Sequence, residues 1–282
     1  SQGNPLVAAE VLKVLRQREV LYCASGVWTV RADLGKVEVP GRINALIIQR
    51  LDQLDNEDRE LLQVAAVVGQ YFTSEVLGAA AGLSRIALLK ALFRLEKKNQ
   101  LLVSAASGYE FSHSKIREVL YAEIPGELRR EYHGIVAQAL EAMRAQGREV
   151  DDEELGTHLY EVGEYERAFP CLLRAGDQVF ALCGWRQAAT LFDQVATAGR
   201  HFEAEAETLI HALQRSSTAY TYLTAYDQAL ERCEELREAA RQAQRPADEA
   251  KGWKITGQVR DAQRRFDEAL VAYEQALNCL NN

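Results

Sequence analysis

An aromatic residue followed three positions later by alanine recurs in the second half of the chain, at Tyr165/Ala168, Trp185/Ala188, Tyr226/Ala229 and Phe266/Ala269. Successive marks stand 20, 41 and 40 residues apart. Internal periodicity of this kind constrains a fold more than any single motif does. A helix-turn-helix unit of about 34–40 residues can bury its apolar face only against the next unit, so such a sequence stacks. After residue 114 nearly every window also carries apolar residues at helical spacing. An array of stacked helical hairpins is therefore expected over 126–282.

The last unit resembles the consensus of tetratricopeptide (TPR) repeats at Trp253, Gly257, Ala269, Tyr273 and Ala276, in that family's relative spacing. Small residues at Gly257 and Ala269 let two helices approach closely, and Trp253 and Tyr273 fill the space around them. Gly156, Gly176 and Ser217 fall at the position of Gly257 in earlier units. Pro170 departs from the pattern, since an interior proline removes a helix hydrogen bond, and a bend is expected there.

The first half reads differently. Residues 4–21 carry a helical apolar face through Leu6, Ala9, Leu12, Val14 and Leu15, with Pro5 in the first turn. Two small strands are expected at 28–30 and 37–39, then a helix over about 43–54. Three short helices follow. Asn56 is read as the cap of the first, which ends near Gly69; Thr73 or Ser74 starts the second, closed by Gly82. Ser84 caps the third, 85–98, with Ile86, Leu88, Leu89, Leu92 and Leu95 as its apolar stripe. Strand-like runs at 100–104 and 109–112 meet at a turn over 105–108. Three helices and a hairpin in this order predict a winged helix. The expected fold class is mainly α: a winged-helix domain with a small β-hairpin over 56–125, followed by a TPR-like α-solenoid over 126–282.

Composition narrows the function. The net charge is −8, with 23 acidic against 14 basic residues over 151–282 and 18 against 19 over the first 150. An acidic second half disfavours tracking a phosphate backbone. No stretch approaches the ~20 apolar residues of a membrane span, so no membrane partner is expected. The five cysteines form no CxxC pair, and Cys171, Cys183 and Cys233 read as reduced thiols among apolar helix positions in a cytoplasmic protein. The histidines His113, His133, His158, His201 and His211 have no mutual metal-ligand spacing, so no metal site is expected. There is no GxxxxGK[ST] loop, GxSxG or HExxH, and no catalytic residue or enzyme activity is assigned to this chain.

Four segments in order carry a wider resemblance: Gly3-Asn4-Pro5-Leu6 heading an apolar helix, VPGRINALIIQRLDQL at 39–54, ELLQVAAVVGQYF at 60–72 and FSHSKIREVLY at 111–121. Together, and with the helices after 126, they resemble the segments that follow the nucleotide-binding core in STAND signalling ATPases. That group includes MalT-like transcription regulators and NB-ARC switch proteins. The resemblance implies that 1–55 is a helical lid remnant and that the winged helix is an internal nucleotide-state switch. It implies that Pro5 packs against adenine and that His113 reaches the diphosphate of a resting state. It further implies a parent protein that uses ATP or ADP with Mg, its nucleotide-binding domain lying before Ser1, while this chain holds no cofactor of its own. A protein or small-molecule inducer would bind the repeat array.

Two other readings remain. One is a free-standing TPR adaptor for protein–protein interaction. The other is a winged-helix DNA-binding regulator, read through Arg85, Lys90, Arg94, Lys97 and Lys98. Against DNA, residues 44–142 hold 11 basic and 13 acidic side chains, and the hairpin tip 104–108 carries no cation.

Overall fold

The computed structural model describes residues 21–24, 27–30, 50–202 and 204–281, together with Arg16, Ile47 and Ile48. Pro5, the expected strand 37–39, most of the first expected helix and part of the second lie outside the described residues. The described part forms two compact units, one up to Tyr132 and one from His133.

In the first unit, β1 (Leu21–Ala24) and β2 (Val27–Val30) form an antiparallel hairpin. Leu21 was expected to close a helix and instead opens a strand, paired with Val30. Three helices then alternate with a small sheet: α1 (Asn56–Val68), β3 (Tyr71–Phe72), α2 (Ser74–Ala81), α3 (Arg85–Lys97), β4 (Leu102–Ala105) and β5 (Gly108–Phe111). The sheet order is β3-β5-β4, all antiparallel. This is the element order of a winged helix, with a third strand, Tyr71–Phe72, that is too short to read from sequence.

Local chemistry sets the boundaries. The cap of α1 is Asp55 rather than Asn56: its carboxylate accepts from the Asp58 N–H at 2.7 Å. Thr73 and Ser84 cap α2 and α3 through their hydroxyls, and Gly82 ends α2 in the left-handed region. Leu62, Phe72, Leu77, Leu88, Leu92, Leu95, Leu101 and Phe111 close the core. Asp58, buried at the start of α1, takes two hydrogen bonds from Arg94 at 2.6 and 3.2 Å and so ties α1 to α3. α4 (Ser114–Glu123) follows β5 directly, and α5 (Gly126–Ala145) comes next.

The second unit is a helical solenoid: α6 (Asp152–Val162), α7 (Tyr165–Ala181), α8 (Trp185–His201), α9 (Ala206–Tyr222), α10 (Tyr226–Gln242), α11 (Pro246–Ala262) and α12 (Phe266–Asn281). Helices neighbouring in sequence are the main packing partners. From α7 onward the helices start 20 or 21 residues apart, so the aromatic marks fall at first helical positions and their spacing counts single helices. Each of five turns ends its helix in the same way. Residues 163, 183, 224, 244 and 264 adopt positive φ, and the next N–H bonds back five residues, as Ala225 N–H does to the Tyr220 carbonyl at 3.0 Å. Only the first of these turns uses glycine; the others use Cys183, Thr224, Gln244 and Arg264.

Between neighbouring helices, a small residue faces a larger one sixteen positions later. A Cβ added at Gly156, Gly176 or Gly257 would stand 2.9, 2.9 and 2.4 Å from Leu172, Phe192 and Tyr273 respectively. α7 runs as one helix through Pro170, whose ring is on the exposed face, where water can satisfy the carbonyl of exposed Glu166. Cys171 and Cys233 are buried, but Cys183 is exposed in a turn and not in the helical core as expected.

Candidate functional site

The first candidate is the junction of β5 and α4. Phe111 ends β5 inside the core, and Ile116 and Leu120 of α4 are buried, so the two residues between sheet and helix, Ser112 and His113, are held in place. His113 occupies the cap position, half-buried and with extended backbone. Its ring makes no side-chain cap hydrogen bond, and its carbonyl accepts from the Ile116 N–H at 3.0 Å. The sequence had left open that the imidazole caps Lys115 or Ile116; it does neither. An imidazole beside the first turn of a helix is chemically suited to donate to an anionic oxygen. No metal-holding group of three or more His, Cys, Asp or Glu occurs among the described residues.

The second candidate lies in the array. A groove of about 470 Å3 runs between α10, α11 and α12. Arg237 is 6% exposed, and its guanidinium carbon lies 4.0 Å over the Trp253 ring. Its Nη1 donates to the Thr256 hydroxyl at 2.7 Å, Nη2 pairs with Glu234, and its Nε has no acceptor. Leu230 and Val271 supply apolar walls, and Arg260 pairs with Glu268 at 3.2 Å on the rim. The groove thus joins an aromatic face, a buried cation and a carboxylate rim. Of the repeat residues named from sequence, Trp253 lines this groove, Gly257 lies under Tyr273, Ala269 is buried and Ala276 is half-buried.

Three polar clusters in the array escaped the sequence reading. His133 and His158, both buried, meet through their Nδ1 atoms at 2.8 Å, which needs one ring to donate and the other to accept. Asp152 takes hydrogen bonds from Arg174 at 2.8 Å and Arg144 at 2.7 Å, and these hold its carboxyl down to about 2. Asp193 accepts from Ser216 and Tyr220, both at 2.7 Å; burial first, and this carboxylate second, push the Tyr220 hydroxyl up to about 12. Apart from Arg144 and Asp152, which are 8 residues apart, the partners in these clusters are 22–27 residues apart, roughly the length of one helix and its turn. A search for catalytic spacings does not look there.

On α3 the structure corrects the expected stripe. Leu88, Ala91, Leu92 and Leu95 are buried, whereas Ile86, Leu89 and Phe93 are exposed at 70%, 41% and 62%. No single helix among the described residues is long and apolar enough to cross a membrane.

No protein-family model matches the chain, and no curated protein matches it. Among solved structures, it is similar to the crystal structure of a signal transduction ATPase with numerous domains (STAND) protein with a tetratricopeptide repeat sensor, from Pyrococcus horikoshii. Identity is 14% and the TM-score 0.38, over 87% of this chain and 47% of that one. The chain thus spans about half the length of that structure, and similarity this low bears no weight on function.

Proposed function

We propose that this chain is the regulatory and sensor part of a STAND-type signalling ATPase. The winged-helix unit would report nucleotide state, and the helical array would take an inducer or partner protein. The observation that carries this reading is His113. It stands half-buried at the β5–α4 junction within the segment FSHSKIREVLY, beside the first turn of α4. A histidine so held can contact a diphosphate supplied from another domain. No GxxxxGK[ST] loop occurs in this sequence, so His113 and Pro5 would be its contribution to a shared site. An inducer on the array shifts the switch only by binding its two states with different affinity.

Thermal unfolding of the full-length protein with Mg-ADP and Mg-ATP tests this. ADP is expected to raise the melting temperature, and His113→Ala is expected to shrink that rise while leaving the nucleotide-free melting point in place. A full-length protein indifferent to both nucleotides sinks the reading. The Arg237–Trp253 groove favours a second reading, a TPR adaptor that works without any nucleotide. In that case partner binding survives His113→Ala and is lost with Trp253→Ala.

A further inference from the structure

The outer face of α3 is used by neither candidate site. Ile86, Leu89 and Phe93 recur at i, i+3 and i+7, which places them along one side of the helix. All three are exposed, and Leu83, just before the Ser84 cap, is 40% exposed. α3 is a ridge between two depressions. A groove of about 670 Å3 separates it from α1, with Leu61, Val64, Ala80 and Leu83 in its wall. A shallower depression of about 440 Å3 runs along Ile86, Leu89 and Phe93.

The charges flanking this stripe are of one sign. Arg85, Lys90, Arg94, Lys97 and Lys98 are all exposed. The single acid of the helix, Glu96, is half-buried and accepts from the Ser104 hydroxyl at 2.8 Å and its N–H at 3.3 Å; the hydroxyl, first, and Lys97 hold its carboxyl below the usual range. Glu96 therefore turns toward β4, and the one α3 cation it offsets is Lys97, whose Nζ lies 3.3 Å from its carboxylate. Arg94 is committed to Asp58, which leaves Arg85, Lys90 and Lys98 as the cations of this face outside those ion pairs.

Different partners ask for different surfaces. Base edges need hydrogen-bonding side chains where Ile86, Leu89 and Phe93 stand. An anionic bilayer or phosphate backbone is flat or convex and would meet the exposed carboxylates of Glu57 and Glu60 on the opposite wall of the larger groove. A second copy docking α3 on α3 would set cations against cations. An amphipathic helix can keep its carboxylates on the edge that meets the α3 cations, away from Glu57 and Glu60, while its apolar stripe fills the depressions.

We propose that the outer face of α3 docks an amphipathic helix of another protein, with an apolar stripe bordered by acidic residues. The interaction is independent of nucleotide and of the array groove.

A fluorescein-labelled, stapled 18-residue helix with a leucine stripe flanked by glutamates serves as the probe, and a twin with lysine flanks as its control. Fluorescence anisotropy with the whole chain is expected to show the glutamate helix binding at least tenfold tighter than the twin. Phe93→Ser and Lys90→Glu should each weaken it by tenfold or more with an unchanged melting temperature, because both side chains are exposed. Lys90→Glu should also strengthen the lysine twin. Equal binding of the two helices, no binding of the glutamate helix, or insensitivity to both variants overturns the proposal. So does Phe93-dependent flotation with phosphatidylserine vesicles, Phe93-dependent retardation of random duplex DNA, or a dimer that Phe93→Ser dissolves, with the glutamate helix not competing.

Discussion

Gly176 and Gly134 are both helical glycines, yet packing gives them opposite expectations. A methyl group at Gly134 meets only Val162 at 3.8 Å, an ordinary contact, so Gly134→Ala is expected to stabilise by ~0.5–1 kcal/mol through helix propensity. At Gly176 the same methyl meets the fully buried Phe192 ring at 2.9 Å, and overpacking of ~1–3 kcal/mol outweighs that gain. Urea midpoints of the two variants should move in opposite directions. Asp152 makes a second prediction at this scale. Its carboxyl falls from 3.8 to about 2 in the fold, so its stabilisation is complete above about pH 4 and lost as pH falls toward 2. Asp152→Asn should cost ~1–2 kcal/mol at pH 7, part of the gain being screened at exposed Arg174, and almost nothing at pH 2. Equal losses at both pH values would exclude the ion pair as the cause. A third concerns thiols: exposed Cys183 should react with a disulfide reagent in the native protein, whereas Cys233, pushed up to about 11 by burial, should not react until unfolding. The small residues at 156, 176 and 257 were legible because a period repeats them. The cysteines were not told apart, since Cys171 and Cys183 both lie in apolar surroundings in sequence and only one points inward.

At the scale of the element, the recurrent turn is the instructive case. Thr224, Gln244, Arg264 and Cys183 sit in the left-handed region that glycine occupies at low cost, and Thr224 is β-branched. Thr224→Gly is expected to stabilise by ~1 kcal/mol, read as a rise in melting temperature, because it removes backbone strain while giving up only the exposed hydroxyl bond to the Leu223 carbonyl. A fall in melting temperature would mean that the unfolded chain's greater freedom with glycine wins. Nothing in the side chains at these positions announces a helix end. The turn is imposed by the helices on either side, which must fold back within three or four residues to bury their apolar faces. The helix α3 shows the same limit from another direction. Its register and Ser84 cap were readable, but Ile86 and Leu89 look as apolar as Leu88 and Leu92 until the core chooses a face.

For the whole molecule, each helix of the array packs mainly on its neighbours, so local stability should follow the number of buried faces. Eight residues of α8 are buried against two of α12, where Leu270, Val271, Leu277 and Leu280 stay exposed. Amide exchange in this 282-residue chain should be slowest in α8 and fastest in α12; uniform protection would mean that the array opens as one cooperative unit. The sequence by itself determined the solenoid, because a 20-residue rhythm of aromatic, alanine and glycine positions acts through contacts between neighbouring helices. It also determined the helix-and-hairpin order before the solenoid, through capping residues and turn glycines that act within a few positions. Only the tertiary structure decided which polar groups meet. The His133–His158 pair, the Asp152 and Asp193 clusters and Arg237 over Trp253 join side chains across facing helices, where rotation of one helix by a single residue would separate them. Only the structure, too, decided that α3 turns Ile86, Leu89 and Phe93 outward, because burial depends on the neighbours a face finds and not on its own hydrophobicity.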